Sequence, residues 1–167
     1  MDFLEVVKGR YSVRGYKPDP VEPEKLTAIL EAARVAPTAS NRQAFKIIVI
    51  DTAAHRDELK KVYSREWFVE APVVIGVCSI PGQSWVRSDD KNYSDVDAAI
   101  VMDHIILAAT ALGLGTCWVG AFNPAAAKER LGLEDAWEPV AFTPIGYPRA
   151  SNPNRPKKSL EELVTYI

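Results

Sequence analysis

The chain has only two cysteines and two histidines among 167 residues. Cys78 and Cys117 lie in separate apolar runs with no CxxC spacing, which argues against a redox pair and for buried, reduced thiols. His55 and His104 are too few and too scattered for a zinc site. Basic excess is also missing. The formal net charge is −2, so no broad positive field is present to hold nucleic acid or anionic lipid. Any anion site must be a local cluster of Arg and Lys. Long apolar runs are absent as well. The longest, 98–114, is interrupted by Asp103, His104 and Thr110, so no membrane span is expected. The start, Met1-Asp2-Phe3-Leu4-Glu5, lacks a basic leader pattern, and a cytoplasmic protein is expected. Nucleophilic and proton-handling machinery is missing too. No Ser-His-Asp or Cys-His arrangement can be argued. Asp97 and Asp103 do not share a helical face, and His104 reads as a satisfied core histidine. Chemistry would then fall to a cofactor.

What is present suits one domain over 1–167, with 47% hydrophobic and 25% charged residues. Helical spacing predicts helices over 2–10, 23–35, 53–63, 95–113 and 124–131. Asp2 is the expected cap of the first, and Pro37 follows the second. Apolar runs predict strands at 45–50, 73–79, 116–122 and 140–146, the last of them central. The segment 81–93 has no period and reads as an exposed, mobile loop. Helices and strands mix without regular βαβ alternation, which favours an α+β fold. The apolar helix 95–113 and the tail residues Leu160, Leu163 and Val164 call for a partner, most simply a second copy.

Two segments carry the candidate chemistry. Arg10-Tyr11-Ser12-Val13-Arg14 sets two guanidiniums around a hydroxyl, a donor set suited to phosphate. Lys8 and Arg10 could merely complement a helix C-terminus, but Arg14 lies beyond it. Ala36-Pro37-Thr38-Ala39-Ser40-Asn41-Arg42-Gln43 offers small polar groups and amides for the edge of a planar heterocycle. Gly113-Leu114-Gly115-Thr116-Cys117-Trp118-Val119-Gly120 is not a dinucleotide fingerprint, because a helix precedes it and a strand follows. Gly113 reads as a left-handed helix cap. Gly120 marks either a close approach by something flat or a bulge.

Together with Pro144-Ile145-Gly146-Tyr147-Pro148, Arg155 and Lys157, these segments resemble the nitroreductase family of FMN-dependent oxidoreductases across the whole chain. The resemblance implies an α+β fold with a mixed, mainly antiparallel central sheet flanked by helices. It also implies an intertwined homodimer with FMN at the interface and NAD(P)H as hydride donor. By family position, Arg10, Ser12 and Arg155 would hold the FMN phosphate and ribityl chain, with Tyr11 between them. Arg14 would approach N1 and O2 of the ring. Pro37, Thr38 and Ala39 would touch the ring from the other subunit, and Asn41 and Gln43 would bond its polar edge or lie just behind it. The backbone of Val119 and Gly120, beside Trp118, would reach N5. Nitroaromatics, quinones or related small molecules would accept the electrons; a flavin-storing or sensing protein is the alternative. Ala44 stands where relatives often have Pro, and Tyr11 where a second Arg is common. The 81–93 loop is either a lid over the substrate face or a solvated linker.

Overall fold

A computed structural model describes residues 2–151, 153 and 156–167. Its centre is a four-stranded sheet in the order β1-β2-β4-β3. The strands are β1 (Phe45–Asp51), β2 (Val73–Ser79), β3 (Gly115–Thr116) and β4 (Glu138–Gly146). The helices are α1 (Phe3–Gly9), α2 (Pro23–Arg34), α3 (Arg56–Val62), α4 (Ser94–Ala111), α5 (Pro124–Arg130) and α6 (Leu160–Leu163). The expected α+β class holds, and β4 is internal, between β2 and β3. The sheet is not mixed, however. All three strand pairings are antiparallel, and parallel geometry is confined to an isolated bridge between Ser12 and Thr116.

Strand alternation explains the layers. In β2, Ile75 and Val77 face the cluster built by α2 and α4, with Ile29, Met102, Ile105 and Ile145. Val74 faces the opposite cluster, where α3, α5 and the 66–69 turn contribute Leu59, Ala127 and Phe68. Burial of apolar area on both faces is the main stabilising term, at about 25 cal/mol per Å². α4 packs against the first face almost along its whole length, burying Ala98, Val101, Met102, Ile105, Ile106 and Ala109. It stops at Gly113, whose φ of 78° suits a residue without a side chain.

The expected third strand over 116–122 is cut to Gly115–Thr116. The reason is Pro144, which faces position 117 in the register set by Thr116–Ile145 and has no N–H to give. The Cys117 amide turns instead to Thr143 Oγ1 at 3.1 Å. Pairing resumes at Val119, which bridges Phe142. The helix expected over 53–63 begins only at Arg56, because Asp51 Oδ1 accepts from the amides of Ala53 and Ala54 and makes a turn there.

The 81–93 segment is knit together rather than featureless. Val86 bridges Asn92, Trp85 packs edge-on to Tyr93 at 5.0 Å, and Arg87 grips Asp89 through two 2.7 Å bonds. Both cysteines are buried and free. His104 is half-buried, with Nδ1 3.0 Å from the Ile100 carbonyl oxygen, as a satisfied histidine requires. No helix among the described residues is long and apolar enough to cross a membrane.

Candidate functional site

α1 ends at Arg10, where the backbone turns extended. From there the chain runs as an arm beside β3. The Val13 amide donates to the Thr116 carbonyl at 2.8 Å, and Val13 is buried. The approach is close enough that a Cβ at Gly115 would lie 2.7 Å from Val13 Cγ2. Glycine is required there by contact, not by φ. The far end of the arm is pinned to the segment after β4. Tyr16 donates through its hydroxyl to Val13 O and through its amide to Glu70 Oε2. Arg149 binds Tyr16 O at 2.8 Å and the same Glu70 oxygen at 3.2 Å. The Tyr11 hydroxyl donates to the Ala150 carbonyl.

Because of that pinning, Ser12 and Arg14 stand exposed and Arg10 half-exposed on one edge of the sheet. Among the described residues, neither Arg10 nor Arg14 makes an ion pair. The Arg14 guanidinium lies 5.9 Å from the centre of the Trp67 ring, a cation–π contact that fixes its direction. Trp67 was not among the candidates from sequence. Its only signal there was an aromatic pair, Trp67-Phe68, before β2. A groove of about 180 Å³ runs beside the arm, lined by Arg10, Val13, Thr110, Gly113 and Pro148 among others. Arg155 lies outside the described residues.

The 117–120 segment continues the same edge. Burial pushes the Cys117 thiol up, while Arg14, a Ser12 hydrogen bond and Arg10 pull it down. The Val119 amide and carbonyl are both used, by Phe142 at 2.8 and 3.0 Å. That leaves the exposed Gly120 amide as the donor of the two that has no hydrogen bond among the described residues. Trp118, 41% exposed, stands beside it. A Cβ on Gly120 would meet only Trp118 Nε1, at 3.8 Å. The glycine therefore leaves open room rather than filling a bulge.

The 36–43 loop sits elsewhere. It enters β1, whose first residue Phe45 pairs with Ser79, which in turn pairs with Glu138 at the start of β4. β3 pairs with the far end of β4. Across the sheet the two are separated by three strand spacings, roughly 14 Å, before any offset along the strands. α4 gives a second ruler. The Ala39 amide donates to Asp97 Oδ1 at 2.9 Å in its first turn, and the arm meets β3 just after its last. The intervening helix is roughly 20 Å long. Within one chain, Arg10, Ser12, Arg14 and Gly120 share one edge, and Pro37 to Gln43 lie far from the Arg10–Gly115 end of it. Inside the loop, the amide of Asn41 donates to Thr38 O and that of Gln43 to Thr38 Oγ1.

Comparison with known proteins gives a consistent result. The profile of the Nitroreductase family matches residues 7–74 and 60–147. A nitroreductase family protein of Clostridium difficile 630, solved as a crystal structure, superposes with a TM-score of 0.91 at 38% identity. That match covers 99% of this chain and 98% of the other. A protein of Methanothermobacter thermautotrophicus, provisionally named NADH dehydrogenase/NAD(P)H nitroreductase, is 32% identical over 164 residues, covering 92% of this chain and 80% of its own. An FMN reductase (NAD(P)H) of Bacillus subtilis is 27% identical over 186 residues, covering 98% and 75%.

Proposed function

The chain belongs to the nitroreductase family, and from that premise we propose that it is an FMN-dependent oxidoreductase. It takes a hydride from NAD(P)H and delivers it to nitroaromatic, quinone or related small-molecule acceptors. The observation that carries this reading is the pinned arm: two guanidiniums without an ion pair among the described residues and a serine, held along an edge that continues to a Gly120 amide with no hydrogen bond among the described residues. Bound FMN would supply a ring able to accept a hydride and pass it on.

The chain's own groups do the rest. Arg10 and Ser12 hold phosphate and ribityl oxygens through charge-assisted and neutral hydrogen bonds. Arg14, steered by Trp67, sets a positive charge where the pyrimidine end of the ring gathers negative charge. The Gly120 amide orients N5 by donating to it. Val119 cannot share that task, since its amide is spent on Phe142. Arg155 completes the phosphate grip by family position. Pro37, Thr38, Ala39, Asn41 and Gln43 lie far from the Arg10 end of the arm in one chain, and by family position they touch the ring from the other subunit.

A homodimer is supported by the apolar surface as well. Phe3, Leu4, Val35, Leu160 and Leu163 are each more than half exposed. An apolar groove of about 570 Å³ opens between α1, α2 and α4, lined by Phe3, Val6, Ala32 and Leu107 among others. The test is anaerobic stopped flow of FMN-loaded protein against NADH and then NADPH. Fast bleaching of the flavin band by either is expected. Tightly held FMN that neither reductant bleaches would overturn the enzyme reading in favour of storage or sensing.

A further inference from the structure

The 38–43 loop carries three residues other than glycine at positive φ: Ser40 at 51°, Asn41 at 52° and Gln43 at 51°. Side chains disfavour that region, so such a backbone persists only where its surroundings dictate it. The bonds to Thr38 join the loop to itself. The bond that ties it to the helical layer runs from the Ala39 amide to Asp97 Oδ1.

Asp97 is an odd occupant of α4. It is 1% exposed on a buried face that is apolar apart from it and Ser94, and its Oδ2 is buried with no hydrogen-bond partner among the described residues. A carboxylate kept there with one oxygen unanswered costs stability, which the first turn of a helix offsets only in part. An alanine or leucine would serve packing better. What Asp97 does make is the Oδ1 bond to the Ala39 amide.

We propose that Asp97 is the positioning residue of the ring-side half of the flavin site, holding the Ala39 amide and thereby the loop with left-handed Ser40, Asn41 and Gln43 that meets the flavin of a second copy. This rests on the functional reading above. It differs from the role of Arg10, which acts on the phosphate. Asp97 should therefore matter equally to flavins with and without a phosphate.

The experiment titrates apo-protein with FMN and with riboflavin, following flavin fluorescence, for the wild type, Asp97→Ala, Asp97→Asn and Arg10→Ala. Asp97→Ala is expected to weaken both ligands by the same factor, roughly tenfold. Asp97→Asn keeps an acceptor for the Ala39 amide and is expected to recover most of that loss. Arg10→Ala is expected to weaken FMN by a clearly larger factor than riboflavin, because only FMN carries the phosphate. If Asp97→Ala does not fold, Asp97→Ser, whose hydroxyl stops short of the amide, takes its place with the same expectation. Wild-type affinity of the alanine or serine variant for both ligands, or loss of FMN alone, overturns the proposal. A wild type that binds neither flavin overturns the functional reading itself, which separates the two failures.

Discussion

Arg14 and Gly115 illustrate how differently single residues came to be where they are. Arg14 could be singled out because a second guanidinium beyond a helix end has no helical duty. Its aromatic seat on Trp67 depends on a contact across 53 positions of sequence and had no local mark. Gly115 carries ordinary backbone angles, and its need for glycine comes from Val13 pressing on it. Gly115→Ala should therefore overpack the joint between the arm and β3. A loss of about 1–3 kcal/mol is expected, read as a lower urea midpoint with unchanged slope. A variant as stable as the wild type would mean that the arm moves aside at no cost. Asp97 was weighed from sequence only as half of a carboxylate pair and set aside. An acidic first turn of a helix, Asp95 and Asp97, was the available signal, but the partner of Asp97, the Ala39 amide, is 58 residues away.

Elements were legible where periodicity was strong. α2, α4, β1, β2 and α5 fall within a few residues of the expected ranges. β3 was overextended because 116–122 reads as an apolar run. The break is imposed from outside by Pro144 on the neighbouring strand. Element-level chemistry also makes stability depend on pH in the alkaline range. Cys78, in the buried middle of the sheet, has its thiol pushed from about 9 up to about 11 by burial. Below pH 9 the thiol is protonated in the folded and the unfolded chain alike. Between about 9 and 11 only the unfolded chain ionises, so stability falls as pH rises through that window. Urea midpoints measured from pH 8 to 11 should fall more steeply for the wild type than for Cys78→Ala, even though the variant starts lower. Parallel curves would remove Cys78 as a contributor.

At the scale of the whole molecule, the candidate site is divided. The arm and the Gly120 amide lie along one sheet edge, and the 36–43 loop lies beside the first turn of α4. By family position the loop would meet the flavin of a second copy. Cofactor binding and self-association should then be linked. Sedimentation and flavin fluorescence on serial dilution should show dimer and bound FMN disappearing over the same concentration range. A monomer that keeps its FMN would refute the divided-site reading. The exposed Phe3, Leu4 and Leu160 side chains are expected to become protected from solvent in the same dimer.

The sequence by itself determined most of the element types and the burial of both thiols. It also determined the segments that carry donors for an anion and a planar ring. Those are local properties, written in periodicity, side-chain chemistry and turn residues within a few positions of one another. The tertiary structure decided which donors are free to act and which are near each other. It committed the Val119 amide to Phe142, left the Gly120 amide without a hydrogen bond among the described residues, seated Arg14 on Trp67 and hung the 38–43 loop from Asp97. It also set the loop and the Arg10 end of the arm far apart. Each of these depends on strand order and on contacts between distant positions, which no local pattern encodes.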